Sequence, residues 1–444
     1  MLYAIQFTIL DWAWLIIALL AIVVFGVVVR FSWISSEKLL TFLVVKLGFG
    51  IAYTISATLS DVEADFCGYF RGGFDYAEMF RDLVKGESID YLRTTPFWWI
   101  DGLSTDRFCS LTGFFLVLTG GSFLGATAIA CFLGSIGQLL IYRFFRERFQ
   151  QVRAIYFLPM LFHPSLMLWS GMLLKDTMGI FALGWAVYSL YRMLGRRELS
   201  ALTPLAVSVY VIFLYRSFIF LPLVAFALFL VWDQVVLPYT IRRRGGGMLK
   251  VLFFMMTSLI CVLLLWSLVN RFGEGLIEDR KEGAEVFSQI EAGSSFENVD
   301  LSSSPGGILA LGRGAINSLF RPFPWDVAKP IHAAAALENI IVMGFVWVGF
   351  NCYRHRLTPH QREQISGIFW GMLVVALIIA AGVGLFASNS GTISRYRIPM
   401  IPFLVAVPGL ALGMADRFNR TTRQLRSSNV RQHSVAQRSK LVAS

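Results

Sequence analysis

Ile9-Leu-Asp-Trp-Ala-Trp-Leu-Ile-Ile-Ala-Leu-Leu-Ala-Ile-Val-Val-Phe-Gly-Val-Val-Val29 is the stretch that decides the fold. Its length is near the roughly 20 residues a helix needs to cross the hydrocarbon core of a bilayer. No basic segment precedes it and no small-residue cleavage site follows, so it reads as a retained span and not a signal peptide. Outward from it, similar apolar runs recur along the chain. Charged residues make up 15% and hydrophobic ones 56% of the 444 residues, whereas soluble domains carry about 25% charged residues. With a mean hydropathy of +0.64, the chain belongs with integral membrane proteins. Runs of this length exclude a β-barrel built of short alternating strands.

The runs and their flanks predict an all-α polytopic membrane protein with about eleven transmembrane helices. They lie near residues 10–29, 39–59, 112–142, 154–173, 177–194, 199–215, 217–237, 249–269, 334–351, 366–387 and 398–414. The third is too long for one crossing, and Gly120-Gly121 is expected to separate an interfacial piece, Leu111 to Thr119, from the span proper. Basic clusters occur at Arg143-Arg146-Arg148-Arg153, Arg192-Arg196-Arg197, Arg242-Arg243-Arg244-Lys250, Arg354-Arg356-Arg362 and from Arg417 to Lys440. With these spans all of them fall on one side. The positive-inside bias makes that side cytoplasmic, the N-terminus outside and the C-terminus inside. The net charge of +11 is therefore a matter of topology and gives no reason to expect nucleic acid. Residues 1–414 form a transmembrane domain. The basic, Ser/Gln-rich tail 415–444 reads as disordered and is drawn to anionic lipid.

Two outward loops are long, about 60–109 and 270–332. The second begins charged, passes through a Ser/Gly-rich piece (Gly293 to Gly307) expected to be mobile, and returns through Arg321-Pro-Phe-Pro-Trp-Asp326. The first contains a helical periodicity. Tyr76, Met79, Phe80, Leu83 and Val84 share one face and Asp75, Glu78 and Asp82 another. Such a helix would lie on the membrane surface, apolar face down. Residue by residue, its carboxylates are a solvated face. Gly72-Gly73 precedes Asp75 and would let the backbone approach a ligand closely. Cys67 and Cys109 bracket this loop; they either pair in an oxidising compartment or stand as separate thiols.

Several polar groups gather at the outer ends of spans. His163-Pro-Ser-Leu-Met-Leu-Trp-Ser-Gly-Met-Leu-Leu-Lys-Asp176 closes a hairpin and puts Lys175 and Asp176 at the outer boundary. Arg216 lies in the next outward turn, Arg321 in the Pro- and aromatic-rich approach, and Arg395 and Arg397 flank Tyr396 before the last span. Taken singly, each is more often an interfacial anchor, and Lys175 snorkelling toward Asp176 is the structural alternative. Together they place basic groups on the face that should be poor in them, where the planar fork of arginine suits a phosphate. A carboxylate to take a proton and cations to hold a departing phosphate are what transfer from a lipid-linked phosphosugar needs.

Arg395-Tyr-Arg-Ile-Pro-Met-Ile-Pro402 resembles the Arg-Tyr-x-x-Pro-x-x-Pro segment near the end of many GT-C glycosyltransferases, among them the protein O-mannosyltransferase-like and aminoarabinose-transferase-like enzymes. Asp75-Tyr-Ala-Glu-Met-Phe-Arg-Asp-Leu-Val-Lys-Gly86 looks like their first loop. Pro164-Ser165 through Lys175-Asp176, and Arg321-Pro-Phe-Pro-Trp325, are similar to segments of polytopic proteins of polysaccharide biosynthesis. The likeness covers about a quarter of the chain in short pieces. It implies a polyprenyl-phosphate-linked sugar donor, a lipid-linked, glycan or protein acceptor at the outer face, and inversion at the anomeric carbon. It carries the catalytic-base role onto Asp75 and phosphate binding onto Arg395 and Arg397. The chain departs from the family in having two spans before the first loop and Tyr76 where many members carry Glu. Asp61, Glu63 or Asp65 therefore stands as an alternative base.

The site expected from sequence thus comprises Asp75 with His163, Lys175, Asp176, Arg216, Arg321, Arg395, Tyr396 and Arg397, in a bacterial plasma membrane with the site on the periplasmic or extracellular face. No cofactor is implied, the sequence leaves a divalent metal open, and no His/Cys cluster has zinc spacing. A polysaccharide polymerase or ligase acting on lipid-diphosphate glycans would use the same outward arginines. A flippase or transporter would instead call for charges near the bilayer midplane and inverted repeats.

Overall fold

In hydrocarbon every backbone polar group must find its partner inside the protein, which leaves helices as the answer to long apolar runs. The computed structural model describes residues 7–60, 65–85, 104–236, 304–327, 330–386 and 390–418. Among them the regular elements are helical, with one isolated bridge between Phe31 and Ile34. The first half holds α1 (Ile9–Val28), α2 (Ser36–Leu59), α3 (Asp65–Lys85), α4 (Ser104–Leu118), α5 (Phe123–Arg148), and the short α6 (Pro159–Phe162) and α7 (Pro164–Trp169). There follow α8 (Lys175–Arg196), α9 (Leu202–Tyr215), α10 (Phe220–Val231), α11 (Ser304–Phe320), α12 (Pro330–His355), α13 (Pro359–Phe386), α14 (Ser390–Tyr396) and a last helix, α15 (Ile401–Phe418).

Among the described residues seven helices are long and apolar enough to cross a membrane: Ile9–Val28, Ser36–Leu59, Phe123–Arg148, Ser217–Gln234, His332–His355, Pro359–Gly384 and Ile401–Phe418. They match seven of the expected eleven. The run at 199–215 gives an apolar helix of shorter length, Leu199–Tyr215. The run at 177–194 is the buried helix α8. The run at 249–269, the Gly293 to Ser303 stretch, Asp61 and Glu63, and the tail from 419 lie outside the described residues. The stretch 270–332, expected from sequence to be the second long loop, holds α11, which packs along α13.

The run at 154–173 is not one helix. Pro159 and Pro164 each begin a new short helix, because proline offers no N–H to the turn before it. Pro164 leaves the Met160 carbonyl without its helical donor, and the Ser165 N–H turns instead to Glu338 Oε1, 2.9 Å away, which frees the Leu161 carbonyl as well. Gln138 of α5 supplies both missing bonds, its Nε2 donating to Met160 O at 2.7 Å and to Leu161 O at 2.9 Å. Its Oε1 in turn accepts from Lys46 Nζ of α2 at 3.0 Å, and both side chains are buried. Buried polar groups are satisfied in this way or not tolerated. Beyond α7 the chain runs non-helically from Gly171 to Leu174, wedged between α2 and α5. A Cβ on Gly50 would lie 2.2 Å from Gly171 O, and one on Gly134 2.2 Å from Ser170 O. That wedge delivers Lys175 to the start of α8.

The expected division at Gly120-Gly121 is present: both have positive φ, +65° and +94°, in the turn between α4 and α5. The piece before it runs from Ser104, longer than expected, and packs along α3. Gly72 and Gly73 serve that packing, not a ligand: a Cβ on Gly72 would meet Cys109 Sγ at 2.8 Å and one on Gly73 would meet Thr112 at 2.7 Å. Cys67 and Cys109 are both buried and are not joined in a disulfide. Asp11, the acid of the first span, caps its helix with Thr8 and accepts from Ser122 Oγ at 2.8 Å and Leu124 N at 3.1 Å, tying α1 to the start of α5.

Candidate functional site

At 1.5 Å per residue, α8 spans about 33 Å, close to the thickness of a hydrocarbon core. Its two ends carry different charge clusters. At the Arg196 end, Glu147 accepts from Arg143 at 2.8 Å, Arg196 at 2.6 Å and the Tyr188 hydroxyl at 3.0 Å, while Arg148 meets Asp233 at 2.8 Å. At the Lys175 end the structure gathers most of the residues expected from sequence.

Asp176 and Arg216, forty residues apart, form a buried ion pair at 2.7 Å. The guanidinium of Arg216 also lies 4.4 Å from the centre of the Tyr396 ring, which stacks on Phe218 at 5.7 Å. Burial lowers the proton affinity of Arg216, but Asp176 and then the Tyr396 side outweigh it, and the cation is held. Arg395, 5.9 Å from the centre of the same ring, pairs with Asp65 at the start of α3. Lys175 donates to Ser104 Oγ at 3.2 Å and Thr105 Oγ1 at 3.0 Å, and lies 5.5 Å from the Tyr69 ring. Burial, with Arg216 nearby, pushes the Lys175 ammonium down to about 8. Tyr69 is buried among Asp65, Arg216, Asp176 and Arg395, and burial pushes its phenol up.

Next to this set, through the chain segment Arg395–Arg397, lies a second. Arg397 is buried and donates to the Arg321 carbonyl at 3.0 Å; Asn339 donates to that carbonyl at 2.8 Å and to Phe320 O at 3.1 Å. Arg321 thus contributes its backbone, and its guanidinium lies 5.8 Å from the Phe323 ring. Glu338, an acid inside α12, is the countercharge that offsets part of the cost of burying Arg397. It accepts from the Ser165 N–H and hydroxyl and lies 2.7 Å from His163 Nδ1.

Of the expected residues, Lys175, Asp176, Arg216, Arg395 and Tyr396 therefore form one cluster, and His163, Arg321 and Arg397 the adjoining one. Asp75 is in neither: it is exposed on α3, ten residues and so about 15 Å along the helix from Asp65. Asp65, an alternative base in the sequence reading, stands in the first cluster. Asp75, Glu78 and Asp82 are solvent-facing, and Asp82 pairs with Lys85 at 3.8 Å. Sequence reasoning missed Glu338, Tyr69 and the hydroxyls of Ser104, Thr105 and Ser165. An acid within an apolar span was signal enough to single out Glu338; the hydroxyls carry no such mark. Among the described residues four cations, Lys175, Arg216, Arg395 and Arg397, thus lie near three carboxylates, Asp65, Asp176 and Glu338. Such a surplus beside aromatic faces suits a phosphate. Among the described residues no three of His, Cys, Asp and Glu gather as metal ligands. No protein-family model matches the chain, and neither a curated protein nor a solved structure is found similar to it.

Proposed function

We propose that the chain is a membrane glycosyltransferase of GT-C type that moves a sugar from a polyprenyl-phosphate carrier to a lipid-linked, glycan or protein acceptor at the outer face of the membrane. The observation that carries this reading is the gathering of Arg216 and Arg395 at Tyr396, with Lys175 close by at Tyr69, at the end of α8 where, among the described residues, these three cations meet the two carboxylates Asp65 and Asp176. Cations fixed in a poorly hydrated site stabilise the charge that grows on a leaving phosphate, and they need no reorganisation to do so. The basic clusters at the Arg196 end set the orientation by the positive-inside bias, so the site end faces outward, in a bacterial plasma membrane. The isoprenoid tail stays among lipid while its phosphate reaches the boundary where the cations stand. The resemblance gives the proton of the acceptor to Asp75, and Asp65 is the acid of the same helix that stands among the cations.

The test is direct. Protein in lipid nanodiscs is incubated with decaprenyl phosphate and with a panel of decaprenyl-phosphate-linked hexoses, with methyl hexosides as acceptors. Binding of the lipid phosphate, release of it from one donor, and about tenfold weaker binding in Arg216→Met and Arg395→Ala are expected. A wild-type protein that neither binds nor releases it refutes the reading. Movement of the intact donor across the bilayer without release would make it a flippase instead.

A further inference from the structure

Glu338 is an acid inside an apolar span, a placement that is costly unless the group has a task. Its Oε1 accepts from the Ser165 N–H at 2.9 Å, its Oε2 from the Ser165 hydroxyl, and Oε1 faces His163 Nδ1 at 2.7 Å. An ionised carboxylate only accepts, so this contact calls for a proton on Nδ1, and the neutral imidazole then has its lone pair on Nε2. The His163 side chain is 7% exposed; its Nδ1 meets Glu338 as a 2.7 Å ion-pair contact and not as an aligned hydrogen bond, and its Nε2 is buried with no hydrogen-bond partner among the described residues. A base held by a third group, with its second nitrogen free, is the arrangement of an activated proton acceptor. His163 is the N-cap of α7, against which α14 packs. The cations continue into this pair through the chain: Arg395, of the phosphate cluster, and Arg397, whose countercharge is Glu338, are at most about 7.6 Å apart at Cα. On α3, by contrast, Asp65 is engaged by Arg395, and Asp75 lies on an exposed surface well along the helix.

We propose that His163, oriented by Glu338, is the base of the transfer. This rests on the glycosyl-transfer reading above. As the acceptor oxygen bonds to the anomeric carbon, its proton passes to His163 Nε2. The bond from that carbon to the phosphate oxygen breaks, and its electron pair leaves with the phosphate onto Lys175, Arg216 and Arg395. The imidazolium, next to the Glu338 carboxylate, returns its proton to water when the product departs. His163 is the catalytic residue of this step and Glu338 a positioning residue.

The experiment uses the full chain in nanodiscs, with decaprenyl phosphate as the binding probe and the decaprenyl-phosphate hexose that the wild type turns over as donor. His163→Gln keeps an amide donor for Glu338 and removes the proton acceptor; His163→Ala opens space for free imidazole. Both should bind decaprenyl phosphate like the parent and lose about 10²–10⁴-fold in kcat, and imidazole should restore about tenfold or more in His163→Ala alone. Glu338→Gln should lower kcat with KM unchanged and gain nothing from imidazole. If His163→Gln turns over within about threefold of the parent, the assignment is overturned while the site stands. It is equally overturned if Asp75→Asn is inactive and imidazole leaves His163→Ala unchanged. If His163→Ala fails to fold, His163→Gln decides alone, its lipid binding reporting that the site is intact. Failure of the wild type to bind decaprenyl phosphate sinks the transfer reading, and this assignment with it, before any variant is compared.

Discussion

The buried pair of Asp176 and Arg216 gives the sharpest test of the site's electrostatics. Their side chains are 2% and 8% exposed and meet at 2.7 Å. Asp176→Asn removes the countercharge and leaves a guanidinium in a poorly hydrated place. Arg216→Met leaves an unpaired carboxylate and also removes the contact of the cation with the Tyr396 ring at 4.4 Å. Removing one partner of a buried pair costs about 3–5 kcal/mol, and losing the ring contact adds about 0.5–2 kcal/mol. Replacing both, as Asp176→Leu with Arg216→Met, leaves no orphaned charge. A cycle of Asp176→Leu, Arg216→Met and the double variant should therefore show a coupling of about 2–3 kcal/mol. Equilibrium unfolding in mixed micelles with increasing dodecyl sulfate measures all of these variants. Binding separates support of the fold from service to a ligand. Asp176→Asn should bind decaprenyl phosphate about tenfold more tightly, since one negative charge leaves the site, and Arg216→Met about tenfold more weakly. Single variants within about 1 kcal/mol of the parent, strictly additive, would refute a desolvated pair. Affinities that fall together in both would refute the phosphate site.

Other outcomes follow from the same geometry. Lys175, whose ammonium burial and Arg216 push down to about 8, loses its charge as pH rises through that value. A phosphate monoester stays a dianion above about pH 7, so decaprenyl phosphate affinity should fall between about pH 7 and 9.5 in the parent and stay flat in Lys175→Met. Gln138→Leu strands the Met160 and Leu161 carbonyls and the Lys46 ammonium. Unfolding should show a loss of about 3 kcal/mol or more, at about 1–3 kcal/mol per buried group, and a loss below 1 kcal/mol would mean that water replaces the amide. Gly134→Ala sets a methyl 2.2 Å from Ser170 O; overpacking of this kind costs about 1–3 kcal/mol or more, and the displaced 170–174 segment should cost lipid-phosphate binding as well as thermal stability. Cysteines at Ser390 and Ser428 test the orientation: an impermeant thiol reagent on intact cells should label the first and spare the second, and the reverse would put the site on the cytoplasmic face.

The sequence alone determined that the chain is helical and built for a membrane, because the length of an apolar run and the absence of water leave the backbone no other economy. It determined the break at Gly120-Gly121, and it picked out Lys175, Asp176, Arg216, Arg395, Tyr396 and Arg397, since a charge at the end of a span is conspicuous against its surroundings. The tertiary structure decided what the pattern could not hold. The 154–173 run looks like a span to a hydropathy count, yet its two prolines break it, and the break persists because Gln138, distant in sequence, donates to the freed carbonyls. Gly72-Gly73 looks the same from sequence whether a ligand or a helix approaches it; α4 is what fills the space. Arg216 and Asp176 are forty residues apart, and Glu338 and His163 far more. Ion pairing depends on separation in space, whereas periodicity within one helix constrains only its own faces. That is why the individual charges were legible and their partners were not.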